Sequence, residues 1–424
     1  MFITYREYPV MTLQQSIHLV APTHPLSGRV VLPLSKSMST RMLVLAHLGQ
    51  GRIKHGILAD NQDVRDLGEI LDILSREETA ILDAGDGGAV LRFAMAVAAI
   101  TPGLWRFTGS ERLHERPVGI LVEALRECGA DIQFQDRQGY LPLRIRGGKC
   151  SGGKVKVDAG ESSQHISSLC LVAPFFQQGL ELHMQGAAVS EPYIRMTLEM
   201  MEKAGYTVFR NDKVIQIKSG IPGEVHFDIE PDWSAAAFMY SACALSPGSR
   251  LFMPGLSQHS VQGDRRCASL FKALGVLTRF EEDGALIWHE PSISELRADL
   301  RDCPDLMPAL AVAAAGRLAP AWLSGLSHLR IKESDRLQTV CDNLQLCGFE
   351  AEVDDEAIRI AGQARPASMV QLSAWNDHRI AMAFAILSLK MEYMVIKGAQ
   401  VVDKSWSGFW QNLGSLGWKT GPAV

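Results

Sequence analysis

This 424-residue chain has no excess of basic charge, no CxxC pair, no low-complexity tract and no uninterrupted apolar run of about 18 residues. Each absence removes a class of function. Forty-two Lys and Arg against 47 Asp and Glu give a formal net charge of −5. That excludes a nucleic-acid binder relying on a globally basic surface, but not a local basic pocket for a small anion. The eight cysteines (128, 150, 170, 243, 267, 303, 341 and 347) show no metal-ligand spacing. Several fall in apolar helical patterns, where cysteine packs as a small hydrophobe, so free thiols in a reducing compartment are expected rather than a disulfide framework. No membrane-spanning helix is expected. The opening MFITYREYPVMT lacks the basic and apolar regions of a signal peptide. A soluble cytoplasmic protein with neither a membrane nor a nucleic-acid partner is the expectation. Met1 and Met11 are alternative starts, and the sequence leaves open whether the segment Met1–Val10 is ordered.

What is present is ordinary in composition and unusual in organisation. The 47% hydrophobic and 21% charged residues are those of a globular protein with room for two or more cores. A unit of helix, glycine, strand, turn, strand recurs around Gly129, Gly205, Gly275 and Gly348, and a truncated copy ends the chain at Gly417. The spacings run from 69 to 76 residues, longer than solenoid repeats and closer to a small α/β subdomain used about six times. Each glycine suits the residue just past a helix, where a left-handed backbone costs it little. Each following segment alternates apolar and polar residues, as a half-buried hairpin does. A helix at Asp66–Leu74 fits a first copy without the glycine. The crossing between halves is expected within Asp228–Trp233.

Polar clusters recur where loops enter helices. They are PLSKSMSTR (Pro33–Arg41) ahead of MLVLAHLG, the glycine turn DAGDGGAVLR (Asp83–Arg92), RLHERP (Arg112–Pro117), ESSQ (Glu161–Gln164) and SEPY (Ser190–Tyr193). The second half adds DCPDLMP (Asp302–Pro308), LRIKESDR (Leu329–Arg336), NDHR (Asn376–Arg379) and DKS (Asp403–Ser405). Any one of these reads equally well as a cap or a solvated turn. Together they place Lys and Arg at helix beginnings, where the macrodipole favours acids. Such placement gains the protein no stability by itself, and it makes sense if a strongly anionic ligand gathers among several helix N-termini. In LRIKESDR, Lys332 and Glu333 precede the helix that follows, and Asp335 is expected to have only a local structural role.

In this order, the motifs SKSxSxR, ERP, SSQ, SxPY, CPD, RxKExDR, NDHR and DKS resemble those of the 5-enolpyruvylshikimate-3-phosphate synthases, a family of enolpyruvyl transferases. The resemblance runs from about Leu32 to the C-terminus. It implies an α/β fold of two similar domains, each of three βαβαββ units in an inside-out barrel, with the active site in the cleft between them. The implied domains are 33–230 and the discontinuous 1–32 plus 231–424. The implied reaction moves the enolpyruvyl group of phosphoenolpyruvate to the 5-hydroxyl of shikimate 3-phosphate through a tetrahedral intermediate, with no metal or organic cofactor. A monomer is expected.

Residue by residue, the resemblance implies that Lys36, Ser37, Arg41, Ser162, Ser163, Gln164, Ser190, Tyr193, Asp305, His328 and Lys332 meet shikimate 3-phosphate. It implies that Lys36, Gly88, Arg92, Arg116, Gln164, Arg336, Arg379 and Lys404 hold phosphoenolpyruvate. Asp305 would be the base for the hydroxyl, Glu333 the acid for the methylene carbon, and Lys36 would assist both substrates. Departures from the family pattern are Leu34, Thr40, Ala89 and His328; none removes a charged catalytic group. Two other readings stand beside this one. A transferase acting on a UDP-amino sugar would carry KN in place of Lys36-Ser37 and a loop cysteine. A non-catalytic anion binder would have no need of acid and base together.

Overall fold

The computed structural model describes residues 16–422; Met1, Met11 and the leading segment lie outside the described residues. Five four-stranded sheets share one plan: two parallel strands, then the two strands of an antiparallel hairpin laid beside the second. In the clearest copy Thr79–Asp83 runs parallel to Gly103–Thr108, and Leu143–Gly147 and Asp131–Phe134 follow antiparallel. The same order recurs in the sheets that contain the hairpins after Gly205, Gly275 and Gly348. In the fifth, the hairpin is replaced by strands from opposite ends of the chain, Ser16–Val20 and Lys419–Pro422. A sixth sheet has two parallel strands, Ile53–His55 and Val225–Phe227.

All five glycines of the repeat occupy the left-handed region, with φ between 78° and 105°. The helix Gln62–Arg76, which lacks such a glycine, ends instead in an extended residue, Glu77. Helices that are apolar on every side are buried on every side. Trp233–Leu245 is wholly buried, and it packs on Met307–Arg317, which in turn packs on His378–Leu387. Gly88–Ile100 packs on Ser163–Val172 in the same way. These contacts form two hydrophobic cores, one drawn from residues between 38 and 229, the other from 19–32 and 233–418. All eight cysteines are buried free thiols.

The chain passes between the cores twice, and the two passages pair with each other. Ser35 N donates to Glu230 O at 2.8 Å and Asp232 N to Pro33 O at 2.9 Å. Among the described residues no helix is long and apolar enough to cross a membrane.

Gly348 has φ 85°, and a Cβ there would lie 2.1 Å from the Arg365 carbonyl oxygen. Gly348→Ala should therefore cost about 1–3 kcal/mol of stability. Gly68→Ala, mid-helix with nothing within 4 Å of the added methyl, should gain about 0.5–1 kcal/mol. Urea unfolding of both variants reads the opposite signs.

Candidate active site

Helices starting at Lys36, Gly88, Ser163 and Glu191 from one core, and at Arg336 and His378 from the other, bring their first turns to a single cleft, joined by Pro304 and Asp305 from the short turn ahead of Met307–Arg317. Side chains just outside the helices cap them. Ser162 accepts from Gln164 N, Asp335 from Gln338 N and Asp377 from Arg379 N. Caps supplied from outside leave the first helical residues free to face the cleft. One expectation changes here. The SKSMSTR segment lies within the first helical turns, not ahead of them, because Ser35 supplies the cap, its Oγ accepting from Met38 N at 3.4 Å. Lys36 is thus the first helical residue. Asp335 has the local role expected of it, as a cap and as the partner of Arg330 at 2.9 Å.

The centre of the cleft is Arg336, only 1% exposed. Its Nε donates to Asp377 Oδ2 at 2.8 Å, its Nη1 to Asp305 Oδ1 at 3.0 Å and its Nη2 to Glu333 Oε2 at 2.7 Å. Arg379 Nη2 reaches the other oxygen of Asp305 at 2.7 Å, and Tyr193 Oη donates to that oxygen at 3.2 Å. Burial alone would raise both Asp305 and Glu333. The charges of Arg379, Arg336 and Lys332 outweigh it at Asp305, and those of Arg336 and Arg116 at Glu333, so both carboxyls are held below the usual range. Burial lowers Lys332 to about 8, partly offset by Asp305 and Glu333. Burial, with Lys332 nearby, lowers His328 to about 4, and neither of its ring nitrogens has a partner.

Arg116 differs from the other cations. It is buried, yet its Nε and Nη1 meet no acceptor. It lies over the backbone of Gly88, where a Cβ would come within 2.4 Å of Nη2. Buried donors are ordinarily satisfied, so an unpaired guanidinium facing a cleft marks an anion position. Gln164 Oε1, also in the cleft wall, has no partner either. Ser190 stands at φ 54°, ψ 40° and makes no capping bond with its side chain; its N–H is tied to Arg301 O at 2.9 Å. A left-handed serine is strained, and here it leaves the hydroxyl unused for capping beside the cleft.

The structure brings Lys36, Ser37, Arg41, Gly88, Arg116, Ser162, Ser163, Gln164, Ser190, Tyr193, Asp305, His328, Lys332, Glu333, Arg336 and Arg379 to the cleft wall. Arg41 lines it with four of its five donors committed, to Thr197, the Ser37 carbonyl, Ser167 and the Tyr193 carbonyl. Two expected residues stand back. Arg92 gives Nη1 and Nη2 to the Gly88 and Pro117 carbonyls, at 3.0 and 2.7 Å, with its buried Nε left unpartnered, and so ties the glycine turn to the loop carrying Arg116. Lys404 is outside the wall, paired with Asp86 at 2.8 Å and donating to Asn376 O at 2.9 Å.

Sequence reasoning passed over Asp63, which holds Lys36 Nζ at 3.0 Å, and Phe93, which lies under the Arg41 guanidinium. It also gave no role to Asp377 and His378, although both lie in the NDHR motif. Asp63 sits in the first turn of an amphipathic helix, where any acid is favoured, and carried no distinguishing signal. The wall holds six cations (Lys36, Arg41, Arg116, Lys332, Arg336, Arg379) against four carboxylates (Asp63, Glu161, Asp305, Glu333). A chain of net charge −5 has thus concentrated positive charge in one place. Among the described residues no group of three or more His, Cys, Asp or Glu could hold a metal ion.

Asp377, fully buried, anchors Arg336 from behind. Asp377→Ala should cost about 3–5 kcal/mol by leaving a buried guanidinium short of its partner, read as a fall in the urea midpoint.

The sequence model of the family described as EPSP synthase (3-phosphoshikimate 1-carboxyvinyltransferase) matches residues 20–413. A Bacteroides fragilis protein named 3-phosphoshikimate 1-carboxyvinyltransferase is 34% identical over 408 residues, covering 94% of this chain and 98% of its own. One from Syntrophobacter fumaroxidans with the same name is 32% identical over 420 residues, covering 94% and 99%. Among solved structures, an EPSP synthase from Acinetobacter baumannii superposes with a TM-score of 0.78 at 20% identity, covering 96% of this chain and all of the other. The enolpyruvyl transferase NikO from Streptomyces tendae gives 0.70 at 14% identity, covering 97% of this chain and all of the other; at such identities the likeness is one of fold, an α/β enolpyruvyl-transferase fold. With a family match over nearly its whole length, this chain belongs to the EPSP synthase family.

Proposed function

We propose that the cleft transfers the enolpyruvyl group of phosphoenolpyruvate to the 5-hydroxyl of shikimate 3-phosphate and releases phosphate, a step of the shikimate pathway. The observation that carries this reading is the unpartnered Arg116 guanidinium, buried over Gly88 in the wall that also carries Asp305 and Glu333. In this reading phosphoenolpyruvate lies against Arg116, Arg336, Arg379 and the Gly88 backbone, with Lys36 and Gln164 alongside. Lys404 joins after leaving Asp86, and Arg92 acts by holding the Gly88 and Arg116 loops together. Shikimate 3-phosphate lies against Ser37, Arg41, Ser162, Ser163, Ser190, Tyr193, His328 and Lys332.

The carboxylates take their roles from the charge balance. With the cleft as described, Arg336 and Arg116 keep Glu333 ionised, and an ionised carboxylate cannot donate a proton. An anionic substrate that engages these arginines neutralises the charges depressing Glu333, whose burial then raises it into the range of an acid. Glu333 can then protonate the methylene carbon, and as a carboxylate it takes a proton back when phosphate leaves. Asp305, sharing Arg336 and Arg379 with the incoming anion, becomes a stronger base for the 5-hydroxyl. The fixed cations stabilise the charge that develops between these two steps. The steps use side chains alone, without a cofactor.

The architecture belongs to the same reading: domains 33–230 and 1–32 plus 231–424, each of three βαβαββ units, forming an inside-out barrel with the site between them. The two cores and the six sheets support it. A monomer in the cytoplasm completes it.

The test is phosphate release from the two substrates, with a UDP-amino sugar as the competing acceptor; folded protein that turns over neither pair is a binder only. Glu333→Gln should lower kcat by about a hundredfold or more with KM changed only slightly; an undiminished kcat would remove it as the acid. Gly88→Ala should displace Arg116 and raise KM for phosphoenolpyruvate roughly tenfold, about 1.4 kcal/mol, with KM for shikimate 3-phosphate unchanged.

A further inference from the structure

Behind the cleft lies a second carboxyl that the reaction as described does not use. Asp264 is 2% exposed, lies in the single helical turn Gly263–Arg266 that Gln262 precedes, and accepts from Ser234 Oγ through Oδ2. Its Oδ1 is buried without a partner. The turn is closely fitted. Gln262 Oε1 accepts from Trp233 N at 3.1 Å and its Nε2 donates to Pro231 O at 2.8 Å. A Cβ on Gly263 would meet Pro192 at 2.5 Å. Asp264 shares a cavity of about 10 Å³ with Tyr193, Ser37 and Asp232, room for one water. Tyr193 belongs to the walls of both this cavity and the cleft, and its hydroxyl is bonded to Asp305. Two carboxyls therefore flank one phenol, Asp305 with two guanidiniums and Asp264 with only a hydroxyl.

We propose that Asp264 is the proton reservoir behind the base, a positioning residue that draws the substrate hydroxyl's proton away from Asp305 through the Tyr193 hydroxyl. The proposal rests on the reaction assigned above. The substrate O–H bond breaks as its electron pair forms the new C–O bond, and the proton bonds to Asp305. That proton passes to the Tyr193 oxygen while the proton Tyr193 held moves to a water in the shared cavity, which gives one of its own to Asp264. Tyr193 ends neutral, Asp305 is again a carboxylate and Asp264 is a carboxylic acid. The same shifts in reverse deliver the proton to the departing phosphate.

The environments set the direction. Burial, helped by the negative charge of Asp305, raises Asp264 to about 7 against the Ser234 hydrogen bond and Arg379. Arg379 and Arg336 hold Asp305 far lower despite its burial. Carboxyls pushed apart in this way divide the roles of base and proton store. The groups facing Asp264 are Asp305, Arg379, Asp232, Tyr193 and the thiols of Cys267 and Cys303. Burial, with Asp264 adding, raises both thiols, Cys303 to about 12, so they stay neutral while Asp264 titrates. The reservoir accepts only when ionised, so kcat should rise with pH through about 7.

Asp264→Asn keeps the shape and removes the acceptor. It should lower kcat at least tenfold near pH 8, leave both KM values within about twofold, and abolish the rise through pH 7. Tyr193→Phe should abolish the same rise. Infrared titration of the substrate-free protein should show a buried carboxylic acid band fading near pH 7 in the wild type, retained in Tyr193→Phe and missing in Asp264→Asn. A wild-type kcat and pH profile in Asp264→Asn would overturn the proposal, and so would a wild type without the band. If Asp264→Asn does not fold, the Tyr193→Phe profile and the wild-type band decide. A folded wild type without turnover would overturn the reaction assigned above, while the band would still report whether Asp264 carries the proton.

Discussion

The cleft depends on one electrostatic constraint, a guanidinium buried at the positive end of a helix. Arg336 is the first residue of its helix and is almost fully excluded from water, an arrangement disfavoured by both desolvation and the macrodipole. It persists because Asp377, Asp305 and Glu333 surround it. Those carboxylates come from three separate stretches of chain, so satisfying one cation draws three loops together. Asp305 extends the set to Arg379 and Tyr193. The same ion pairs that hold the cleft together assign protonation states within it, and an anionic ligand competes for them directly. Stability and reactivity here draw on the same charges.

The fold was legible where local chemistry decides structure. The helix-ending glycines, the hairpins and their near-equal spacing all correspond to observed elements, because a left-handed residue and a period-two strand leave marks within ten residues. The site was legible as a set of cations and hydroxyls at helix starts, which is anomalous without a ligand. Less was visible where partners lie far apart in sequence. Asp63 looks like any first-turn acid, and its pairing with Lys36 spans 27 residues of chain. Arg92 was grouped with the ligand-holding arginines, yet it donates to two backbone carbonyls. Nothing in its spacing separates an arginine that touches a ligand from one that holds the loops around it. The start of the first helix was misplaced because SKSMSTR reads as a polar loop, while Ser35 caps it and Arg41 is buried.

The sheet that joins Ser16–Val20 to Lys419–Pro422 has a consequence for the order in which the molecule is made. The core built from residues 38–229 is continuous in sequence and can form as soon as that stretch is synthesised. The other core includes Leu19, Leu26, Val30 and Leu32, whose partners lie beyond residue 233. Closing a loop of some 400 residues costs only slightly more entropy than closing a shorter one, so the delay is one of time more than of energy. Until the last strand arrives, Ser16–Val20 has an unpaired edge and the apolar residues of its segment lack their core. Among the described residues, the first strand in sequence is one of the last parts to be buried, and a newly made molecule passes through a stage with one core formed and one open edge.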